Sequence, residues 1–176
     1  GVRMAHNFYV YHLLSKNILS MPVLKNIVEL GTGEGAISIM LGLLGQVRKV
    51  SPRMVYTFDI KKWHSFETSC LLNCLGVKFE CRDVLNGFGE EKRNGDELVK
   101  HILSEGPIYL LCDNGNKKQE FKTYVPFLKL GSLISIHDYG QEFTDADAII
   151  EGIKLEPVEK EEWTKYNCQF ATWRVI

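Results

Sequence analysis

A glycine-rich segment between an apolar run and a helical pattern is the feature that most constrains the fold. Asn26 to Leu30 reads NIVEL, as a buried strand does, and leads directly into Gly31 to Gly35, with glycine at alternate positions. A helical pattern follows from Glu34 to Leu44. Glycines let the backbone turn tightly and approach a ligand, because no side chain fills the space. The segment therefore predicts a ligand site at the carboxyl end of a first strand, facing the unpaired NH groups of a helix.

The rest of the chain alternates short apolar runs with helical patterns, which is typical of a sheet covered by helices on both faces. We predict an α/β fold with a Rossmann-like, doubly wound, seven-stranded sheet, mostly parallel with an antiparallel last strand. The predicted strands are Asn26–Leu30, Val55–Asp59, Val77–Cys81, Ile108–Cys112, Leu133–His137, Ile153–Val158 and Gln169–Val175. The predicted helices are Met4–Leu19, Glu34–Leu44, Lys62–Leu75, Glu97–Ser104 and one carrying Phe121, Tyr124, Val125 and Leu128 inward, with a kink at Pro126. Asn86 to Asp96 is polar and predicts a mobile loop.

Length and composition predict one soluble domain over residues 1–176, with residues 1–25 as an N-terminal helical cover. The net charge of -1 argues against a nucleic-acid partner, and no apolar window approaches the ~20 residues of a membrane span. The five cysteines form no CxxC pair, which predicts buried free thiols rather than disulfides or zinc ligands. Without a secretory leader, these features predict a cytoplasmic protein. A homo-oligomer is compatible with the sequence.

The glycine segment has two interpretations. Gly31, Gly33 and Ala36 satisfy the GxGxxA pattern of dinucleotide-binding proteins, so an NAD-dependent oxidoreductase remains an alternative. The longer sequence VELGTGEG resembles motif I of class I S-adenosylmethionine-dependent methyltransferases. In that family an acid two residues before the first glycine and a glycine at the fifth position are usual. The dinucleotide pattern explains neither Glu29 nor Gly35, so we favour the methyltransferase interpretation.

Two carboxylates follow the second and third predicted strands. Asp59 is an acceptor for both hydroxyl protons of a ribose, and its alternative role is a helix cap. The resemblance implies that Asp83 holds the adenine amino group with Val84 beside the ring; the alternative is a surface ion pair between Arg82 and Asp83. The residues assigned to S-adenosylmethionine are Glu29, Gly31, Thr32, Gly33, Gly35, Asp59, Ile60, Asp83, Val84 and Asp113.

The fourth and fifth predicted strands end in polar residues that we expect to face one crevice. Asp113 follows the fourth strand, and His137 and Asp138 follow at the end of the fifth. Asp113 and Asp138 are candidate oxygen ligands of Mg²⁺. This arrangement resembles small-molecule O-methyltransferases of the cephalosporin hydroxylase and macrocin methyltransferase type, which bind magnesium. Those relatives tend to show a DGxH-like sequence and two acids, where this chain has DNGN and a His-Asp pair.

Without a metal, His137 is the natural general base, since its ordinary pKa of ~6.5 allows proton removal near neutral pH. Asp113, His137 and Asp138 are therefore the predicted catalytic residues, and their alternative role is to cap a helix or turn. We predict methyl transfer from S-adenosylmethionine to an oxygen of a small molecule or sugar. A methyltransferase-like protein that binds the cofactor without catalysis is a further alternative. Lys117 and Lys118 are expected on a solvated face, and Trp63, Tyr139 and Trp163 in core or rim packing.

Overall fold

The computed structural model describes residues 8–48, 55–85, 95–166 and 169–176. Seven strands form one sheet in the order β3-β2-β1-β4-β5-β7-β6. The strands are β1 Asn26–Leu30, β2 Val55–Asp59, β3 Val77–Cys81, β4 Ile108–Cys112, β5 Leu133–His137, β6 Leu155–Val158 and β7 Phe170–Val175. The helices are α1 Phe8–Ser20, α2 Ala36–Val47, α3 Phe66–Cys74, α4 Glu97–Ser104, α5 Lys117–Tyr124 and α6 Lys160–Tyr166. The doubly wound α/β prediction is confirmed.

The strand order places a switch point between β1 and β4. From β1 the chain crosses over to β2 and β3 on one side, and it later returns to β4 and β5 on the other. Strands β1 to β5 pair in parallel, whereas β7 pairs antiparallel with both β5 and β6. The crossovers diverge at this point, so a crevice lies outside the carboxyl ends of β1 and β4. The predicted antiparallel last strand is confirmed.

The central strands have the predicted bounds because each is a short, mainly apolar run that is buried from end to end. β1 and β4 are buried along their whole length, and apolar residues dominate both. Parallel strands covered on both faces appear as continuous apolar runs of this kind. The bounds of β1 to β5 all match the prediction, while β6 and β7 begin slightly later than expected.

Several helices begin later than the sequence predicted. The predicted start of α1 at Met4 lies outside the described residues. α2 begins at Ala36 instead of Glu34, because Gly35 has φ 89°, a left-handed conformation that a helix interior excludes. α3 begins at Phe66 instead of Lys62, because the Ser65 side chain caps it by accepting from the Thr68 amide. Helix α6 was not predicted, since among its seven residues only Trp163 is buried.

The predicted buried thiols are largely wrong. Cys70, Cys74 and Cys81 are exposed, and Cys112 in β4 is buried. Cys168 lies outside the described residues. α3 buries Thr68 and Leu72. The helix turns a narrow face to the sheet, so its apolar residues Phe66 and Leu71 face outward.

The remaining elements agree with the predicted pattern. α5 ends at Tyr124 and a short 3-10 helix containing Pro126 follows, so the α-helix is interrupted beside the proline, as predicted. The loop predicted over Asn86 to Asp96 lies outside the described residues except for Gly95 and Asp96. Within the described residues, no helix combines the length and apolar character that crossing a lipid bilayer requires. The single-domain extent over 1–176 and the covering role of residues 1–25 stay predictions.

Candidate active site

A cavity of about 530 Å³ opens at the carboxyl ends of β1, β2 and β4. Its lining residues are Glu29, Gly31, Thr32, Gly33, Glu34, Gly35, Ala36, Ile37, Asp59, Ile60, Trp63, Asp113, Asn114 and Gly115. The sheet therefore brings the glycine segment, the end of β2 and the end of β4 together, as the sequence predicted. Asp83 and Val84 are the only residues assigned to the cofactor that are not among the described residues lining this cavity.

Gly31 lets the first loop approach the fourth strand. Its φ is 103°, and a Cβ at this position would lie 2.5 Å from the carbonyl oxygen of Asp113. The approach is held by the backbone, because the Asp113 amide donates to the Leu30 carbonyl at 2.8 Å. No side chain fits between these two segments, so only glycine satisfies this position.

Gly33 leaves the loop open toward the cavity. Its φ is 50°, and a Cβ built on it would meet no described atom within 4 Å. Its amide donates to Oδ2 of Asp59 at 3.0 Å, which ties the loop to the end of β2. A ligand in the cavity can therefore reach bare backbone beside an oriented carboxylate.

Asp59 is held by three donors and is only 5% exposed. Besides Gly33, the Lys61 amide donates to Oδ1 at 3.3 Å, and the Trp63 indole Nε1 donates to the same oxygen at 3.2 Å. A carboxylate offers about four acceptor sites, so about one site remains for a hydroxyl donor of a ligand. The alternative role as the cap of α3 belongs to Ser65 instead.

Trp63 is a cavity residue that the sequence reasoning missed. Its side chain lines the cavity and remains 56% exposed, with the Lys61 ammonium 4.3 Å from the ring centroid. The available signal was its position four residues after Asp59, which lets the indole NH turn back to the carboxylate.

Glu29 forms the buried floor of the cavity. It is fully buried and accepts hydrogen bonds from the Ser38 and Thr57 hydroxyls. Its Oε1 has no hydrogen-bond partner among the described residues. Burial raises the pKa of Glu29 to about 8, against the opposing effect of the two hydroxyls, so the carboxyl is mostly protonated at neutral pH.

Asp83 and Val84 lie after β3 in a turn. Oδ1 of Asp83 accepts from the Leu85 amide at 3.1 Å, while the Val84 side chain is buried and its carbonyl accepts from the Tyr124 hydroxyl. Arg82 pairs with Asp96 at 3.2 Å. The adenine assignment of Asp83 and Val84 stays a prediction.

The predicted catalytic residues meet at the ends of β4 and β5. Nδ1 of His137 lies 3.1 Å from Oδ1 of Asp113 and 3.2 Å from Oδ1 of Asp138. Burial lowers the pKa of His137, but the hydrogen bond that the imidazole donates to Asp113 and the charges of both carboxylates outweigh it, so the net shift is upward. Asp138 has φ 59°, a left-handed backbone conformation that is uncommon outside glycine.

Lys117 corrects the prediction of a solvated lysine. Its side chain is only 6% exposed, and its ammonium lies 3.0 Å from Oδ2 of Asp138 and 2.9 Å from Oε2 of Glu142. It also donates to the Asn114 carbonyl at 3.0 Å. The DNGN turn and the end of β5 thus enclose a buried cation that periodicity could not reveal.

The residues present do not fit a divalent cation. Ligand atoms of Asp113, His137 and Asp138 lie within 4.8 Å of one another, a spacing that a metal can bridge. However, the Lys117 ammonium already occupies the second oxygen of Asp138, and a positive charge at this distance opposes a second cation. The Mg²⁺ prediction therefore gains no support, and no chemical step is assigned to a metal.

Two neighbouring groups complete the electrostatics. Glu120 on α5 is fully buried; burial raises its pKa to about 8, although the Lys117 charge lowers it. The pKa of Tyr11 on α1 is raised by burial and by the charges of Asp113 and Glu29. Tyr139 and Trp163 pack edge to face at 5.0 Å, in agreement with the packing role predicted for them.

Comparison with known proteins identifies the fold. No family model matches the sequence, and no curated protein matches it either. An rRNA methylase from Streptococcus thermophilus is 17% identical over 99% of both chains, with a TM-score of 0.56. A TDP-rhamnose 3'-O-methyltransferase of calicheamicin biosynthesis is 13% identical over 94% of this chain and 77% of its own, with a TM-score of 0.60. A putative methyltransferase from Streptococcus mutans, solved with S-adenosylhomocysteine, is 14% identical over 94% of this chain and 97% of its own, with a TM-score of 0.53. The chain has the fold of the class I methyltransferases, as the resemblance of VELGTGEG implied.

Proposed function

We propose that this protein transfers a methyl group from S-adenosylmethionine to an oxygen of a small molecule or sugar. The observation that carries the proposal is the open backbone at Gly33, 3.0 Å from the buried carboxylate of Asp59. Had a side chain filled the loop, or had Asp59 turned away from the cavity, the proposal would have lost its basis.

The cavity suits the two ends of this cofactor. The Gly31 to Gly35 loop leads into α2, so the unpaired amides at the start of that helix are available to bind a carboxylate, such as that of an amino acid. Asp59 accepts from hydroxyl groups, as a ribose requires, and Ile60 and Trp63 supply apolar surface beside it. Asp83 and Val84 remain the proposed adenine contacts.

Bound S-adenosylmethionine supplies an already activated methyl group. The chain's own contribution is then alignment of the acceptor and removal of its proton. We assign the proton to His137: an Nδ1–H donated to Asp113 or Asp138 leaves the lone pair of the neutral imidazole on Nε2. Asp113 lines the cavity and contacts His137, so it connects the cofactor region with the base.

The first experiment is calorimetric titration with S-adenosylhomocysteine. Wild-type protein is expected to bind it, and Asp59→Ala is expected to abolish binding because the ribose acceptor is removed. Asp59→Asn preserves shape if the alanine variant unfolds, and circular dichroism checks both. Asp145→Ala, which removes contacts with Lys160 and Tyr139 outside the residues that line the cavity, is the matched control. Saturable NADH binding without any response to S-adenosylhomocysteine would support the oxidoreductase alternative and reject the proposal.

The second experiment separates catalysis from binding alone. Labelled methyl transfer is measured against sugars, catechols and small hydroxy compounds, with and without magnesium. Turnover supports the enzyme, while binding without any turnover favours the non-catalytic alternative. An rRNA acceptor, named for three structural neighbours, is less well supported because the net charge is -1. The proposed partner is therefore a small-molecule acceptor and the proposed compartment the cytoplasm.

A further inference from the structure

A buried lysine lies where strands β4 and β5 end side by side, a place called the junction below. The Lys117 ammonium has three oxygen neighbours at 2.9 to 3.0 Å, contributed by Asn114, Asp138 and Glu142. With a side chain only 6% exposed, it is enclosed more like a bound ion than like a surface lysine. Such enclosure of a charged group needs oxygen partners that replace its lost hydration.

The position of Lys117 on its helix is unfavourable for a positive charge. Lys117 is the first residue of α5, directly after the cap Asn116. Helix amides carry partial positive charge at this end, so a cation is disfavoured there. The compensation comes from Asp138 and Glu142, which belong to the segment after β5. The lysine therefore connects the end of β4 with the end of β5.

We propose that the Lys117 ammonium takes the place of a divalent cation at this junction, so that the chemistry of the site is independent of metal. The metal-independent chemistry rests on the proposed function. The replacement of a divalent cation by the Lys117 ammonium does not depend on that function. Lys117 is a positioning residue: it holds Oδ2 of Asp138, leaving Oδ1 of the same carboxylate facing Nδ1 of His137.

The junction holds its own cation beside its carboxylates. Asp113, Asp138 and Glu142 supply three carboxylates; the Lys117 ammonium lies against Asp138 and Glu142, and Nδ1 of His137 lies against Asp113 and Asp138. A divalent ion among these groups would lie next to the ammonium and would have to displace it or the imidazole. Removing the ammonium alone leaves Asp113, His137 and Asp138 with the ligand spacing already described.

The test is Mn²⁺ titration, followed by electron paramagnetic resonance, of the full chain without cofactor. Wild-type protein is expected to bind no more Mn²⁺ than the Asp138→Asn variant does. Lys117→Met is expected to gain a Mn²⁺ site that the double variant Lys117→Met/Asp138→Asn loses. Lys118→Met, which removes the neighbouring lysine paired with Asp147, is the matched control and should gain nothing.

Two results would overturn the inference. One is Mn²⁺ binding by the wild type that Asp138→Asn removes, and the other is a folded Lys117→Met protein that acquires no site. If Lys117→Met does not fold, the comparison of wild type with Asp138→Asn decides alone. S-adenosylhomocysteine binding is measured separately, so failure of the proposed function would show there and leave the Mn²⁺ result standing.

Discussion

Replacing Glu29 by glutamine is expected to change how the stability of the fold depends on pH. The folded pKa of Glu29 is about 8 because of burial, against an ordinary value of 4.5. Between these values the folded chain keeps the proton while the unfolded chain has released it. A carboxyl with a raised pKa contributes stability that is fully present below pH 4.5 and is lost as the pH rises toward 8.

The size of this pH dependence follows because unfolding releases one proton from Glu29 per molecule. Where the folded group is protonated and the unfolded group ionised, the free energy of unfolding falls by about 1.4 kcal/mol per pH unit. Glutamine has the same shape, retains an acceptor for Ser38 and Thr57, and does not titrate. The difference in unfolding free energy between Glu29→Gln and wild type should therefore increase by about 1.4 kcal/mol from pH 5.5 to 6.5.

Urea unfolding at several pH values, followed by circular dichroism, measures this difference. His64 and His137, whose pKa values are also shifted, occur in both proteins and cancel in the comparison. Glu151→Gln at an exposed position is the control and should run parallel to wild type. A constant offset between Glu29→Gln and wild type across this range would refute the assignment of a protonated Glu29.

Two further predictions concern the site. The proposed proton acceptor, His137, has a raised pKa, so kcat/KM should rise with pH through a midpoint above 6.5; Asp113→Asn, which removes a hydrogen bond and a charge that raise this pKa, should move that midpoint lower. An unchanged midpoint in Asp113→Asn would contradict the role of His137. Trp63→Phe removes one donor to Asp59 and should weaken S-adenosylhomocysteine binding about fivefold, which corresponds to one hydrogen bond of about 1 kcal/mol. Calorimetry with Trp163→Phe as control measures it, and equal affinity in wild type and Trp63→Phe would show that the indole NH has no part in binding.

The glycine loop and Asp59 in the candidate site were predictable because their sequence signals are local. Alternate glycines have a meaning in the backbone itself: Gly31, Gly33 and Gly35 all adopt positive φ. Asp59 ends a strand whose apolar pattern is unambiguous, so its place at the sheet edge follows from strand geometry. The start of α3 was predicted too early because a periodic pattern does not show that Ser65 caps the helix.

The amino-acid sequence by itself determined the positions of the strands along the chain, the open loop after β1 and the acids at the strand ends, because periodicity and glycine act over a few residues. Only the tertiary structure decided that Lys117 is buried between Asp138 and Glu142, 21 and 25 residues away in sequence. Two adjacent lysines look alike in sequence, yet Lys117 is enclosed and Lys118 remains exposed. The difference arises because β4 and β5 end side by side, and that juxtaposition is a property of the assembled sheet.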